Sequence, residues 1–168
     1  AYDNTAPVIT NISIRSTNTP DNYATTGQTI YLEFDVDDVI YPPNVQINSH
    51  TTPGSVTVSS AGISPNITWT AQCVVDGSDP DATVTFTISS LTNESGISAV
   101  PASYSATSDA SSVTVDKTAP AISGVFCTSN NPDPYRAKEG DQVTVRFHVS
   151  EIVPAPTVQF YGPTDVTA

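Results

Sequence analysis

The chain has 168 residues, enough for one large or two small domains, and a formal charge of −12 that reflects a shortage of Lys and Arg more than an excess of acid. Phosphate backbones and anionic lipid surfaces repel such a molecule, which excludes nucleic acid as a partner. Charged residues make up 13% of the chain, about half the usual share, so Ser, Thr and Asn must supply the polar surface, a composition suited to secretion and glycosylation.

The chain opens on Ala1-Tyr2-Asp3-Asn4, without the basic and apolar regions of a signal peptide, and it contains no Met. It therefore reads as a mature or excised segment whose export signal or anchor lies outside it. No apolar run approaches the roughly 20 residues that cross a bilayer, so no membrane insertion is expected within the segment. A first strand is predicted near residues 7–14, entered through Pro7, which fixes φ. Ile30, Leu32, Phe34 and Val36 then alternate with Thr29, Tyr31, Glu33 and Asp35, the period-2 pattern of a half-buried strand over 28–36. Further strands are predicted near 44–48, 55–59, 66–75, 83–90 and 111–115, with Trp69, Ala71, Cys73 and Val75 on one inward face and Val84, Phe86 and Ile88 on another. Thr26-Gly27, Pro42-Pro43, Pro53-Gly54, Asp76-Gly77 and Glu94-Ser95-Gly96 punctuate them as turns. No stretch shows helical periodicity. The expected fold is all-β, with short strands arranged as a sandwich.

Beyond residue 115 the sequence repeats itself. Laying Pro7 over Pro120, a shift of 113 residues, brings Ile9 onto Ile122, Ala24 onto Ala137, Gly27 onto Gly140, Phe34 onto Phe147, Val36 onto Val149, Pro43 onto Pro156, and Val45-Gln46 onto Val158-Gln159 without a gap. Residues 1–115 are therefore expected to form one unit, and 116–168 the first half of a second, with strands near 120–127, 141–149 and 157–161 and a turn at Gly162-Pro163. Asp116-Lys117-Thr118 is expected to be a short linker that gives the array a semi-rigid, rod-like character.

The junction Val113-Thr114-Val115-Asp116-Lys117-Thr118-Ala119-Pro120, the apolar alternation that follows Gly27 and Gly140, and the Trp69-Thr70-Ala71 and Val84-Thr85-Phe86-Thr87-Ile88 strands resemble the bacterial immunoglobulin-like tandem repeats of large surface adhesins and extracellular matrix fibre proteins. The resemblance covers essentially the whole chain. It implies tandem immunoglobulin-like β-sandwiches at the cell surface that act as a stalk, spacer or fibre without catalysis. The second repeat stops after three predicted strands, so either further residues or a neighbouring subunit, by strand addition, must complete it.

The chemistry-bearing residues fit that reading. His50 falls in a predicted turn and His148 on an outward strand face, so neither is expected to join a nucleophile and an orienter. Asp76, Asp79, Asp81 and Asp116 could gather oxygen ligands for Ca²⁺, as could Asp3 and the run Asp35, Asp37 and Asp38; none matches an EF-hand loop, and a solvated acidic turn is the plainer reading. Asn11, Asn66 and Asn93 begin N-x-[ST] sequons that could carry covalent glycans, Asn93 being favoured because it lies in a turn. Cys73 and Cys127 lack zinc-site spacing and read as two isolated thiols, as a tie between the repeats, or as links to a partner subunit. The function expected is that of a structural repeat in an extracellular fibre, stalk or filament, whose partners are adjacent repeats or copies of itself. The alternative is an adhesin-type module recognising a glycan or host protein through exposed aromatics such as Tyr31 and Tyr41.

Overall fold

The computed structural model describes residues 3–52, 54–63 and 66–161 and contains no helix among them. The strands are β1 (Ile9–Ser16), β2 (Tyr23–Ala24), β3 (Thr29–Val36), β4 (Asn44–Ile47), β5 (His50–Thr51), β6 (Thr57–Ile63), β7 (Asn66–Val74), β8 (Phe86–Ser89), β9 (Ser103–Tyr104), β10 (Thr114–Val115), β11 (Ile122–Ser129) and β12 (Val143–Val149). Four of these, β2, β5, β9 and β10, are two-residue ladders too short to leave a periodic signature. Residues 157–161 form no strand, and the Gly162-Pro163 turn lies outside the described residues.

The chain divides into two compact units, Ala1–Lys117 and Thr118–Ala168. In the first, one antiparallel sheet runs β1-β3-β7-β6 and another β5-β4-β8-β9, while β10 pairs in parallel with β2. Alternation drives this arrangement: β3 sends Ile30, Leu32, Phe34 and Val36 inward, and its partner β7 sends Trp69, Ala71 and Cys73 to the same side, with Phe34 opposite Trp69 and Leu32 opposite Ala71. Val45 and Ile47 of β4 and Phe86 and Ile88 of β8 do the same in the second sheet. All of these side chains belong to one continuous apolar core. The residues expected to be a linker are partly inside this unit, because the Asp116 amide donates to Ala24 O at 2.9 Å and the Lys117 amide to Asp81 Oδ1 at 3.1 Å.

The second unit reproduces much of the start of the first at the same shift of 113 residues, with the register shift displaced along the strand. The pairs Ser13↔Glu33, Ile14↔Leu32, Arg15↔Tyr31 and Ser16↔Ile30 recur as Phe126↔Arg146, Cys127↔Val145, Thr128↔Thr144 and Ser129↔Val143. Both ribbons carry a register shift near their start. The turns repeat as well: Thr17 N donates to Thr29 O as Asn130 N does to Gln142 O, and Thr25 N is capped by Gln28 Oε1 as Lys138 N is by Asp141 Oδ2. Ser16 Oγ reaches Tyr23 O, and Ser129 Oγ reaches Arg136 O. Gly27 and Gly140 close these turns at φ of +87° and +89°, where a Cβ would be strained.

Candidate functional site

A buried polar cluster of the first unit forms where the β4–β5 hairpin meets the loop after β7. Asn48, at φ +50°, and Ser49 turn the chain so that His50 pairs with Ile47 and shares its inward face. His50 is consequently only 6% exposed, which corrects the expectation of a surface histidine. Its Nε2 lies 3.0 Å from Oδ2 of Asp79, itself 3% exposed, and its Nδ1 lies 2.9 Å from Ser55 Oγ. Asp79 also accepts from the Asp76 amide through Oδ2 and from Asn48 Nδ2 through Oδ1, both at 2.9 Å. Burial alone would raise the Asp79 pKa; the hydrogen bonds from His50, Asp76 and Asn48 outweigh it and hold the carboxyl below its ordinary range. Asp76 is exposed, and Ser78 donates to its Oδ1 through both amide (2.7 Å) and hydroxyl (2.6 Å), which lowers its pKa.

Ser55, His50 and Asp79 thus form a hydrogen-bonded chain of hydroxyl, imidazole and carboxylate that the sequence does not announce. The cleft of about 230 Å³ described in this unit lies elsewhere, against Asp3, Thr5, Ala6, Asp37 and Asp38. The bonds tie β5 to the 76–79 loop, and Lys117 holds the same loop from the end of the unit by donating Nζ to the carbonyls of Gly77 and Asp79.

Of the four carboxylates expected to gather a cation, the structure brings Asp76 and Asp79 together, with His50 as the third member: one donor atom from each lies within 4.8 Å of the other two. Asp81 and Asp116 are outside that set; Asp81 Oδ1 accepts from the Lys117 amide and lies 4.0 Å from its Nζ. Sequence reasoning missed His50 because its partner is 29 residues away. Its signal was the turn pair Asn48-Ser49, which places it directly across from inward-facing Ile47.

A second cluster gathers at the cleft. Asn93 is 1% exposed, and its Nδ2 donates to Thr5 O (3.0 Å), Asp38 Oδ2 (2.9 Å) and Asp3 Oδ2 (3.2 Å), while its Oδ1 accepts from the Ser95 and Ile97 amides. The expected glycan acceptor is therefore corrected: the amide nitrogen that would bear the sugar is buried and fully committed. Asn11, facing out opposite Asp35, is exposed and accepts from Ser108 Oγ. Asn66 begins β7, and its side chain lies outside the described residues. Asp35 and Asp37 are engaged locally, by Thr68 Oγ1 and the Val8 amide respectively.

Both cysteines are free. Cys73 lies in the core opposite Ile30, and burial, with Asp79 and Asp76 adding, pushes its thiol up to about 12. A covalent tie from Cys73 to anything outside its own unit is thereby corrected, since the core would have to open first. Cys127, on β11, is exposed. Of the candidate aromatics, Tyr31 is covered by the Arg15 guanidinium 4.5 Å above its ring, whereas Tyr41 is exposed. His148 is exposed as expected and lies against Gly124. No family model, curated protein or solved structure matches the chain.

Proposed function

We propose that this chain is a structural repeat of an extracellular fibre or stalk, built from tandem immunoglobulin-like β-sandwiches and without catalytic activity. The observation that carries the proposal is the recurrence, at one shift of 113 residues, of strand register, capping bonds and left-handed glycines in both units. A chain that copies a unit at this level of detail is using it as a building block, and stability then sums over units and their neighbours. The sheet orders support the sandwich reading: if β1 and β3–β9 are lettered A, B, C, C′, D, E, F and G, the sheets become A-B-E-D and C′-C-F-G, the immunoglobulin order. Trp69 on β7 and the lack of a core disulfide are departures from antibody domains. Asn11 and the Thr-rich outer faces are the surfaces where glycans fit. In the fibre, strands equivalent to β4, β7 and β8 cover the apolar face that β11 and β12 present.

Electron microscopy of the native material containing this chain tests the proposal. Uniform filaments or stalks with a regular axial repeat are expected; monodisperse compact particles that bind a glycan or a host protein would overturn it in favour of the adhesin module.

A further inference from the structure

The cluster at His50 has the organisation of a metal centre rather than of a solvated acidic turn. Each of its three side chains offers one donor and has its other polar atom held by a separate hydrogen bond. For His50 the held atom is Nδ1, against Ser55 Oγ at 2.9 Å, leaving Nε2 directed at the cluster. For Asp79 it is Oδ1, against Asn48 Nδ2 at 2.9 Å, so that Oδ2, which also accepts from the Asp76 amide, is the oxygen facing His50 Nε2. For Asp76 the held atom is Oδ1, which accepts from the Ser78 amide and hydroxyl. Ligands whose remote atoms are fixed in this way are oriented before the ion arrives, the arrangement that outer-sphere partners give to metal-binding histidines and carboxylates. The spacing agrees: donors about 2.0–2.1 Å from a tetrahedral zinc lie roughly 3.3 Å apart, and His50 Nε2 and Asp79 Oδ2 are 3.0 Å apart, with one donor from each of the three residues within 4.8 Å of the others.

We infer that His50, Asp76 and Asp79 form a binding site for a borderline divalent transition ion such as Zn²⁺, with solvent filling the fourth position on the exposed Asp76 side. An imidazole donor in a set of only three selects this class over Ca²⁺, which needs six to eight oxygens. When the ion takes the Nε2 lone pair, the ring's single proton sits on Nδ1 and donates to Ser55 Oγ. The Asp76 amide keeps its bond to Asp79 Oδ2, since a carboxylate oxygen has a second lone pair for the metal. Ion binding would then clamp β5 to the 76–79 loop, the same two segments that the apo hydrogen bonds join.

The test is equilibrium dialysis of the whole chain against Zn²⁺ and Ca²⁺, carried out in a Cys127→Ser, His148→Ala background that removes the exposed thiol and the exposed imidazole outside the cluster. One equivalent of Zn²⁺ is expected at micromolar free ion, unaffected by millimolar Ca²⁺. Asp76→Asn, a change at an exposed residue, should weaken binding at least tenfold while circular dichroism stays unchanged. Because His50→Gln could unfold a buried position, histidine-ring NMR on the unsubstituted chain supplies the second readout: Zn²⁺ should shift the His50 ring and fix its proton on Nδ1. No saturable binding, equal competition by Ca²⁺, Asp76→Asn within twofold of the parent, or an unmoved His50 ring would each overturn the site.

Discussion

Ile12, Ile30 and Val36 lie in the interior of the first unit, whereas Val125, Val143 and Val149, their counterparts in the second, lie open to solvent; Ile12 is 4% exposed and Val125 61%. Yet the ribbons that carry them share register, caps and glycine turns. The difference teaches that strand pairing and turn geometry are written within about 30 residues, while burial is conferred by segments far along the chain, here β4, β7 and β8. Loop closure must be paid for before such distant contacts return anything.

The cysteines offer the sharpest way to break this comparison. At pH 8 a thiol with a pKa of about 12 is thiolate to roughly one part in 10⁴, and Cys73 is enclosed besides. Iodoacetamide should therefore modify Cys127 at least a hundredfold faster than Cys73, read by peptide mass mapping; comparable rates would mean that the first unit opens freely. Next in size is the core. Phe34→Ala should destabilise the first unit by about 3–5 kcal/mol in urea unfolding, followed by the fluorescence of Trp69, the chain's one tryptophan. The equivalent Phe147→Ala should move that same transition by less than about 0.5 kcal/mol, and a matching loss would show the two cores to be one.

Asn93→Ala probes a cluster of the first unit, built on Asp3, Thr5 and Asp38. Leaving Asp3, Asp38 and Thr5 without their shared donor should cost about 1–3 kcal/mol in the same Trp69 transition. Gly27→Ala and Gly140→Ala probe what the units share: both positions have open space around the Cβ but a left-handed φ. Each should cost its own unit about 1 kcal/mol, and hydrogen exchange at the neighbouring turn amides should rise to a similar degree in both.

The smallest effect sharpens the comparison at one atom. The turn amide capped by neutral Gln28 in the first unit is capped by Asp141 in the second, where bonds from Asn131 and the Lys138 amide hold the carboxyl below its usual value. A depressed carboxyl stabilises above its unfolded value of 3.8 and ceases to do so as pH falls through the folded one. Amide exchange at Lys138 should accordingly accelerate below that pH while exchange at Thr25 does not.

Much of this architecture was legible beforehand. Alternation in β3 and β7, the glycine turns and the 113-residue recurrence identified an all-β chain with a repeated opening. The candidate site is legible only in part: the acidic loop is visible in the sequence, whereas His50 reads as surface and Asn93 as an acceptor of sugar. Both errors have one cause, since each side chain is recruited by residues remote in sequence, His50 by Asp79 and Asn93 by Asp3 and Asp38. The expected strand at 157–161 failed for a related reason, because its model, β4, is held by β5 and β8, and the second unit has no such neighbours among the described residues.

By itself, then, the sequence determined what depends on neighbours a few residues apart: the period of the strands, the left-handed turns at Gly27 and Gly140, and the local caps that recur in each unit. Tertiary structure alone decided which apolar face is covered, which polar side chains are buried, and which carboxylates meet a histidine. These outcomes depend on segments separated by tens of residues, whose meeting is set by the whole core rather than by any local pattern.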